Sequence, residues 1–188
     1  TTVHEILLNC KIVQMCCLIL EGQSNCLIKA ALSCLANLAS NCNNHSALQV
    51  TVTSTIILGM LDRLEETPLH HAVLFLRGLS TSAVPRNLLL KFNIVDKLLS
   101  VVQVQNENIR AEALLVLCNL SSDDQFQDHL IECLNRFQAY DLESLLIEKR
   151  FSSKLFGAIM FGNGITKADF RDNILNLDTL DHLISEYH

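Results

Sequence analysis

Apolar side chains along this chain recur at steps of three and four residues, the spacing that lines one face of an α-helix. Three stretches carry the pattern most clearly: Leu27, Ala31, Leu35, Leu38; then Leu69, Ala72, Leu76, Leu79; then Ile109, Ala113, Leu117, Leu120. The pattern predicts helices over residues 25–40, 67–81 and 108–121. Each set holds Ala at the same place, and a small residue lets a neighbouring helix approach closely. Each stretch also closes on a similar phrase, Leu35-Ala36-Asn37-Leu38-Ala39, Leu76-Arg77-Gly78-Leu79-Ser80 and Leu117-Cys118-Asn119-Leu120-Ser121, at a step of 41 residues. A fixed period in the 40s is the mark of a helical-repeat solenoid. Such a stack offers an elongated surface to a partner and seldom holds a catalytic pocket.

The repeats extend beyond the long helices. Residues 11–40 set against 93–122, a shift of 82, align without a gap: Ile12-Val13 fall on Ile94-Val95, Cys16-Cys17 on Leu98-Leu99, and Ala31 on Ala113. Upstream, Leu7-Leu8 fall on Leu89-Leu90. A middle copy fits at half the shift through Ile57-Leu58, Ala72, Leu76 and Leu79, and is more diverged over the β-branched and polar run Val50 to Thr55. Thr67-Pro68 predicts an N-cap followed by a first-turn proline, and Pro85 opens the next unit in the same way. The first helix of that unit is short and ends near Lys91-Phe92-Asn93, where Asn takes a left-handed turn conformation; a second helix runs from Ile94 to about Val102.

The last third is less regular. Gln125 to Asn135 predicts one helix, with Phe126, His129, Leu130 and Cys133 in phase, and Tyr140 to Ile147 another. Ser152 to Phe161 predicts the last helix of a fourth unit, weakened by Gly157, Gly162 and Gly164. Phe170 to Leu175 and Leu180 to Ser185 match Arg86–Leu90 and Val95–Ser100 at a shift of 85, which predicts a fifth unit without its last helix. The expected organisation is a single repeat domain over 1–188, with units at about 1–40, 41–82, 83–123, 124–163 and a partial 164–188. The abrupt opening on an apolar helical pattern, without Met, predicts a piece of a longer protein.

Composition fits layered helices filled by aliphatic side chains: 49% of residues are hydrophobic, 5% aromatic, and Trp is absent. The net charge of −6 and the scattered lysines and arginines argue against nucleic-acid binding, which needs basic clusters to neutralise phosphates. No run reaches the ~20 apolar residues of a membrane span, and no basic stretch precedes an apolar run at the start. The eight cysteines (Cys10, Cys16, Cys17, Cys26, Cys34, Cys42, Cys118 and Cys133) form no C-x-x-C pair and mostly sit on apolar stripes. They predict a reducing, intracellular compartment, cytoplasm and/or nucleus, so Asn44-His45-Ser46 and Asn119-Leu120-Ser121 read as chance glycosylation sequons.

The stretches Ile28 to Ala39 and Ile109 to Ser121 resemble the third helix of an armadillo repeat, and the short first helix ahead of them fits as well. The resemblance covers about residues 4–121 well and the rest weakly. It implies an all-α, right-handed solenoid of about four to five armadillo-like repeats with a period of about 41 residues. In peptide-binding members such as importin-alpha and beta-catenin, third helices line a concave groove. An Asn ladder there bonds the backbone of an extended partner. That ladder maps onto Asn37, Gly78 and Asn119, and Gly breaks it. Importin-alpha pairs each Asn with a Trp one turn earlier; those places hold Ser33, Leu74 and Leu115, which argues against a receptor for nuclear-localisation signals. The same phase places Lys29, Ala30, His70, His71, Arg77 and Glu112 along the groove, with Arg77 able to hold a carboxylate through a two-pronged pair or to stand solvated.

Other chemistry has little support in the residues. His70-His71 point about 100° apart on a helix, and no third metal ligand is suggested nearby; Cys16-Cys17 fall where a sister unit has leucines. No Ser or Cys sits in a nucleophile turn, and Gly162-Asn163-Gly164 lacks the Lys and Ser/Thr of a phosphate loop. The expected function is a non-catalytic protein–protein interaction module, an adaptor for a partner peptide or helix in the groove, without cofactor, metal, nucleic acid or membrane insertion. The alternative is an assembly scaffold that self-associates or docks through its ends or convex face, where Leu177, Leu180, Leu183 and Ile184 need a cover.

Overall fold

Among the described residues, the backbone is helical wherever apolar residues recur at helical spacing. The computed structural model describes residues 3–22, 24–120 and 126. Among them are eight α-helices and no strand: α1 Val3–Asn9, α2 Ile12–Leu20, α3 Asn25–Ala39, α4 Val50–Met60, α5 Glu66–Ser80, α6 Ala83–Lys91, α7 Ile94–Val101 and α8 Glu107–Leu120. Two 3-10 stretches, Cys42–Leu48 and Leu61–Arg63, flank α4. These elements belong to one compact unit, Thr1–Asn119, apart from the last residue of α8. The helices expected beyond residue 126, and with them the fourth and fifth units and Cys133, lie outside the described residues.

The fold is an α-solenoid. The long helices α3, α5 and α8 start at Asn25, Glu66 and Glu107, and α3 packs directly on α5. Their interior is aliphatic: Leu35, Leu76 and Leu79 are fully buried and Leu117 is 1% exposed, and Ala31, Ala72 and Ala113 fill the close approaches between layers. At about 25 cal/mol per Å2 of apolar area removed from water, this interior supplies most of the drive to fold. Short helices form the outer layers. α2 packs on α3 and α4, while α6 packs on α4, α5 and α7.

A left-handed residue joins the short first segment of each unit to the helix after it: Lys11 (φ 56°), Gln49 (φ 49°) and Asn93 (φ 53°). Asn93 is the residue expected there. Lys11 and Gln49 take the same conformation at a cost of roughly 1–2 kcal/mol, which burial of the adjoining helices offsets. In the second unit the first segment is a 3-10 stretch. Asn41 accepts a hydrogen bond from the Asn43 amide on its side chain at 3.0 Å, a local bond that competes with an α-helix. The β-branched run Val50 to Thr55 is nonetheless helical, because Val50, Thr53 and Ser54 are buried and packing overrides weak propensity. Thr55 Oγ1 also donates to the Thr51 carbonyl at 2.8 Å.

The start of α5 differs from expectation by two residues. Glu65, not Thr67, is the flanking extended residue (φ −65°, ψ 162°), and its carbonyl accepts from the Leu69 amide at 2.9 Å. Pro68 is therefore the third helical residue. It still sits in the first turn, where amides have no partner inside the helix and a missing N–H costs nothing. Pro85 likewise stands third in α6, behind extended Ser82.

Candidate functional site

The faces of α3, α5 and α8 left open by stacking form one row. On α3 it comprises exposed Lys29, Ala30 and Asn37 with half-buried Ser33; on α5, half-buried His70, His71, Leu74 and Gly78; on α8, half-buried Ala111, Glu112, Leu115 and Asn119. Residues four apart stand one above another on a helix, so Ser33–Asn37, Leu74–Gly78 and Leu115–Asn119 occupy corresponding places on three neighbouring helices. All the residues picked from the sequence as groove-lining therefore keep some exposure, and Arg77 projects beside the row as an exposed side chain.

The three ladder positions differ in chemistry. Asn37 is exposed, and its side-chain amide makes no hydrogen bond among the described residues; only its backbone carbonyl is engaged, accepting from Ser40 Oγ at 2.7 Å. Asn119 is held within the protein, with Nδ2 donating to Ser80 Oγ of the preceding unit at 2.9 Å. Gly78 is dictated by packing. A Cβ there would lie 2.6 Å from the Ala39 carbonyl oxygen, 2.7 Å from its carbon and 2.9 Å from its Cβ. The ladder is interrupted because α3 and α5 touch backbone to backbone at this point.

Arg77 has its carboxylate inside the fold. Nη1 donates to Glu112 Oε1 at 2.9 Å and Oε2 at 2.6 Å, tying α5 to α8 across the face. With side chains 46% and 19% exposed, the pair contributes roughly 0.2–1 kcal/mol. The neighbouring rings of His70 and His71 stack with centroids 6.0 Å apart at 25°. Burial holds His71 below its ordinary pKa of 6.5, and the nearby His70 and Lys29 push the same way. The face is then uncharged at His71 near neutrality, with Lys29 as a cation on α3. Among the described residues no group of three or more His, Cys, Asp or Glu is arranged to hold a metal ion.

The cysteines divide by environment. Cys10, Cys26 and Cys42 are exposed free thiols. Burial pushes the Cys118 thiol up to about 12, and burial together with the neighbouring Cys34 and Cys17 does the same to Cys16. Cys16, Cys17 and Cys118 pack as small hydrophobes.

One set of residues was missed from the sequence. His45 Nε2 donates to the Ala39 carbonyl at 2.9 Å, and Asn44 Nδ2 to the Leu38 carbonyl at 2.9 Å. In the next unit Arg86 Nη1 lies 3.4 Å from the Ser80 carbonyl and 3.4 Å from that of Asn119. His45 and Arg86 occupy the same place in successive units, as do Ala39 and Ser80. The second and third units thus each supply a side-chain donor to the closing carbonyls of the preceding long helix, where the helix itself leaves acceptors over. The signal was present as an aligned pair of basic side chains, masked by their different shapes.

The comparisons bear on fold and family. A family model described as armadillo-like matches residues 1–182. Among solved structures, a designed armadillo repeat protein in complex with the peptide (KR)4 is similar with a TM-score of 0.80 at 18% identity, over 95% of this chain and 75% of that one. A second designed armadillo repeat protein gives 0.81 at 15% identity, over 94% and 74%. A computationally designed armadillo repeat protein for modular peptide recognition gives 0.68 at 17%, over 79% and 62%. At these identities the likeness is one of fold. No curated protein matches.

Proposed function

The chain belongs to the armadillo-like family, and from that premise we propose that it is a non-catalytic interaction module, an adaptor that binds an extended peptide or a helix of a protein partner along the concave groove lined by α3, α5 and α8. The observation that carries this reading is Asn37. An exposed amide with both donor and acceptor unpaired, in a row with half-buried Leu74 and Leu115, suits a peptide that offers its own backbone N–H and C=O and an apolar side chain. The designed neighbour that holds a peptide lends the fold-level support. Arg77 and Glu112 neutralise each other, so the grip rests on Asn37, Leu74 and Leu115, with Ser33, Gly78, His71 and Asn119 as the remaining wall. The module works in the cytoplasm and/or nucleus on this reading, with its exposed thiols reduced.

Peptides selected from a display library against the protein test it, with affinities read by fluorescence anisotropy. Asn37→Ala and Leu74→Glu each weaken binding by about tenfold or more, and unchanged affinity in both removes the groove model. Competition with the selected peptide in a lysate pulldown then leads to the natural partner. A second reading, assembly through an end of the solenoid, draws on exposed apolar residues at the first unit.

A further inference from the structure

The polar groups of the groove divide by helix. On α8 they are engaged within the fold: Glu112 is held by Arg77 and Asn119 by Ser80 Oγ. On α3 and α5 they are open. Lys29 and Asn37 are exposed, and Ser33, His70 and His71 are half-buried; among the described residues no carboxylate pairs with Lys29, His70 or His71. Ser33 and Asn37 lie one and two turns beyond Lys29 on one stripe of α3. The groups that act on the charge of His71 are its neighbour His70 and Lys29 of α3, both basic. Lys29 and His71 thus face each other where α3 packs on α5, and each opposes the charging of the other. The carboxylates at the start of α5 are already in use on the rim. Glu65 accepts from Asn25 Nδ2 at 2.7 Å and Glu66 from Asn106 Nδ2 at 3.3 Å, one turn before His70.

We propose that the partner peptide carries an aspartate or glutamate whose carboxylate seats between Lys29 and His71, with Ser33 Oγ as a further donor. This seat rests on the groove reading of the function and adds the chemistry of the partner to it. Lys29 can only donate, and so can His71 once protonated. An anion between them relieves the repulsion of two basic side chains, where a cation would add to it. An apolar side chain of the same extended peptide then meets Leu74 and Leu115, one helix further along. Packed helix axes stand about 8–10 Å apart and an extended chain advances about 3.3 Å per residue, so the acid and the apolar residue are roughly two to three positions apart. A carboxylate beside His71 favours its imidazolium. The complex therefore takes up a proton and tightens as pH falls through 6.5. Other titratable groups on the elements packed against α5 are held elsewhere: His45 on the Ala39 carbonyl, Arg86 on the Ser80 carbonyl and Glu112 by Arg77, while Lys91 closes α6 in the outer layer.

The probe is the tightest peptide from a random display library selected on the purified chain, read by fluorescence anisotropy at low salt. It is compared with copies in which each Asp or Glu becomes Asn or Gln. The expected result is that one such replacement weakens binding about fivefold or more, and that Lys29→Glu does the same to the parent peptide. A copy with Lys in place of that acid recovers affinity for Lys29→Glu, which a merely structural role of Lys29 would not produce. Lys29 is exposed, so the circular dichroism of the variant stays that of the parent. Affinity for the parent peptide rises about threefold or more between about pH 7.5 and about pH 5.5, and His71→Gln removes most of that rise. Peptides that need Asn37 and Leu74 yet carry no acid, or bind Lys29→Glu as tightly, overturn the seat and leave the groove reading standing. A rise unaltered by His71→Gln overturns the place of His71 in it. Peptides indifferent to both Asn37→Ala and Leu74→Glu remove the groove reading, and the seat with it.

Discussion

Gly78→Ala and Gly59→Ala make the same chemical change in two helices, and the structure gives them opposite signs. In an exposed helix position, Ala in place of Gly stabilises by roughly 0.5–1 kcal/mol, because the unfolded chain loses freedom. Gly59 in α4 has nothing within 4 Å of an added Cβ, so it gains that full amount. At Gly78 the added Cβ lands 2.6 Å from the Ala39 carbonyl oxygen and 2.7 Å from its carbon. These are backbone atoms of a buried helix and cannot swing aside as a side-chain tip would. The helices must part by several tenths of an ångström, and such overpacking costs about 1–3 kcal/mol. Offset by the helix-propensity gain, the expected net loss is up to about 2 kcal/mol, and the two variants are separated by the overpacking cost itself, about 1–3 kcal/mol. Urea unfolding followed by circular dichroism measures this directly, and thermal melts move about 2–4 °C per kcal/mol for a chain of this size. Equal stabilisation of both variants would refute the backbone contact between α3 and α5, and with it the reason the Asn ladder is interrupted. Gly78→Asn, which restores the ladder residue, loses more than Gly78→Ala for the same reason.

The other expectations concern single groups. Asn119→Ala loses about 1 kcal/mol of stability through the bond to Ser80 Oγ, while Asn37→Ala leaves stability unchanged; denaturation curves that cannot tell the two apart contradict the different roles assigned to them. Because His71 is held below 6.5 in the folded protein, the unfolded chain takes up that proton first as pH falls. Its contribution to stability is therefore full above pH 6.5 and declines below it, and the His71 ring titrates in NMR spectra below an ordinary histidine; a midpoint at or above 6.5 is the contrary result. Pulsed alkylation at pH 8 labels Cys10, Cys26 and Cys42 first, since a thiol near 12 is thiolate in only about one molecule in ten thousand. Cys118 reacts only on unfolding, and early labelling of Cys118 in mass spectra would contradict its burial.

Much of the fold was legible because the long helices repeat their apolar phase without insertion, and because Asn93 marks a left-handed joint by residue type alone. What was not legible is instructive. The 3-10 segment Cys42–Leu48 has its own apolar residue at Leu48, but its asparagines settle the backbone through local side-chain bonds that hydrophobic phase does not report. Thr67 was read as a cap because it precedes Pro68, yet proline is accepted anywhere in a first turn, so the helix starts at Glu66 without penalty. At the candidate site the row of positions followed from helical periodicity. Their availability did not: Arg77 and Glu112 were both named, and only the crossing of α5 over α8 makes them each other's partners. Nor does a sequence reveal that Asn119 is engaged while Asn37 is free, since that depends on Ser80 reaching it from another unit.

The donors His45 and Arg86 both reach back to the end of the long helix made before them, and this gives the stack a polarity in time. A long helix emerging from the ribosome has its last carbonyls unsatisfied until the start of the following unit has also been made. Each unit is then finished by its successor, and assembly proceeds as a running correction in which the newest unit is always incomplete. Cutting such an array ahead of a unit removes a neighbour, whereas cutting it behind a unit also strips the end of its principal helix. Fragments of equal length taken from opposite ends should therefore differ in how well they hold together.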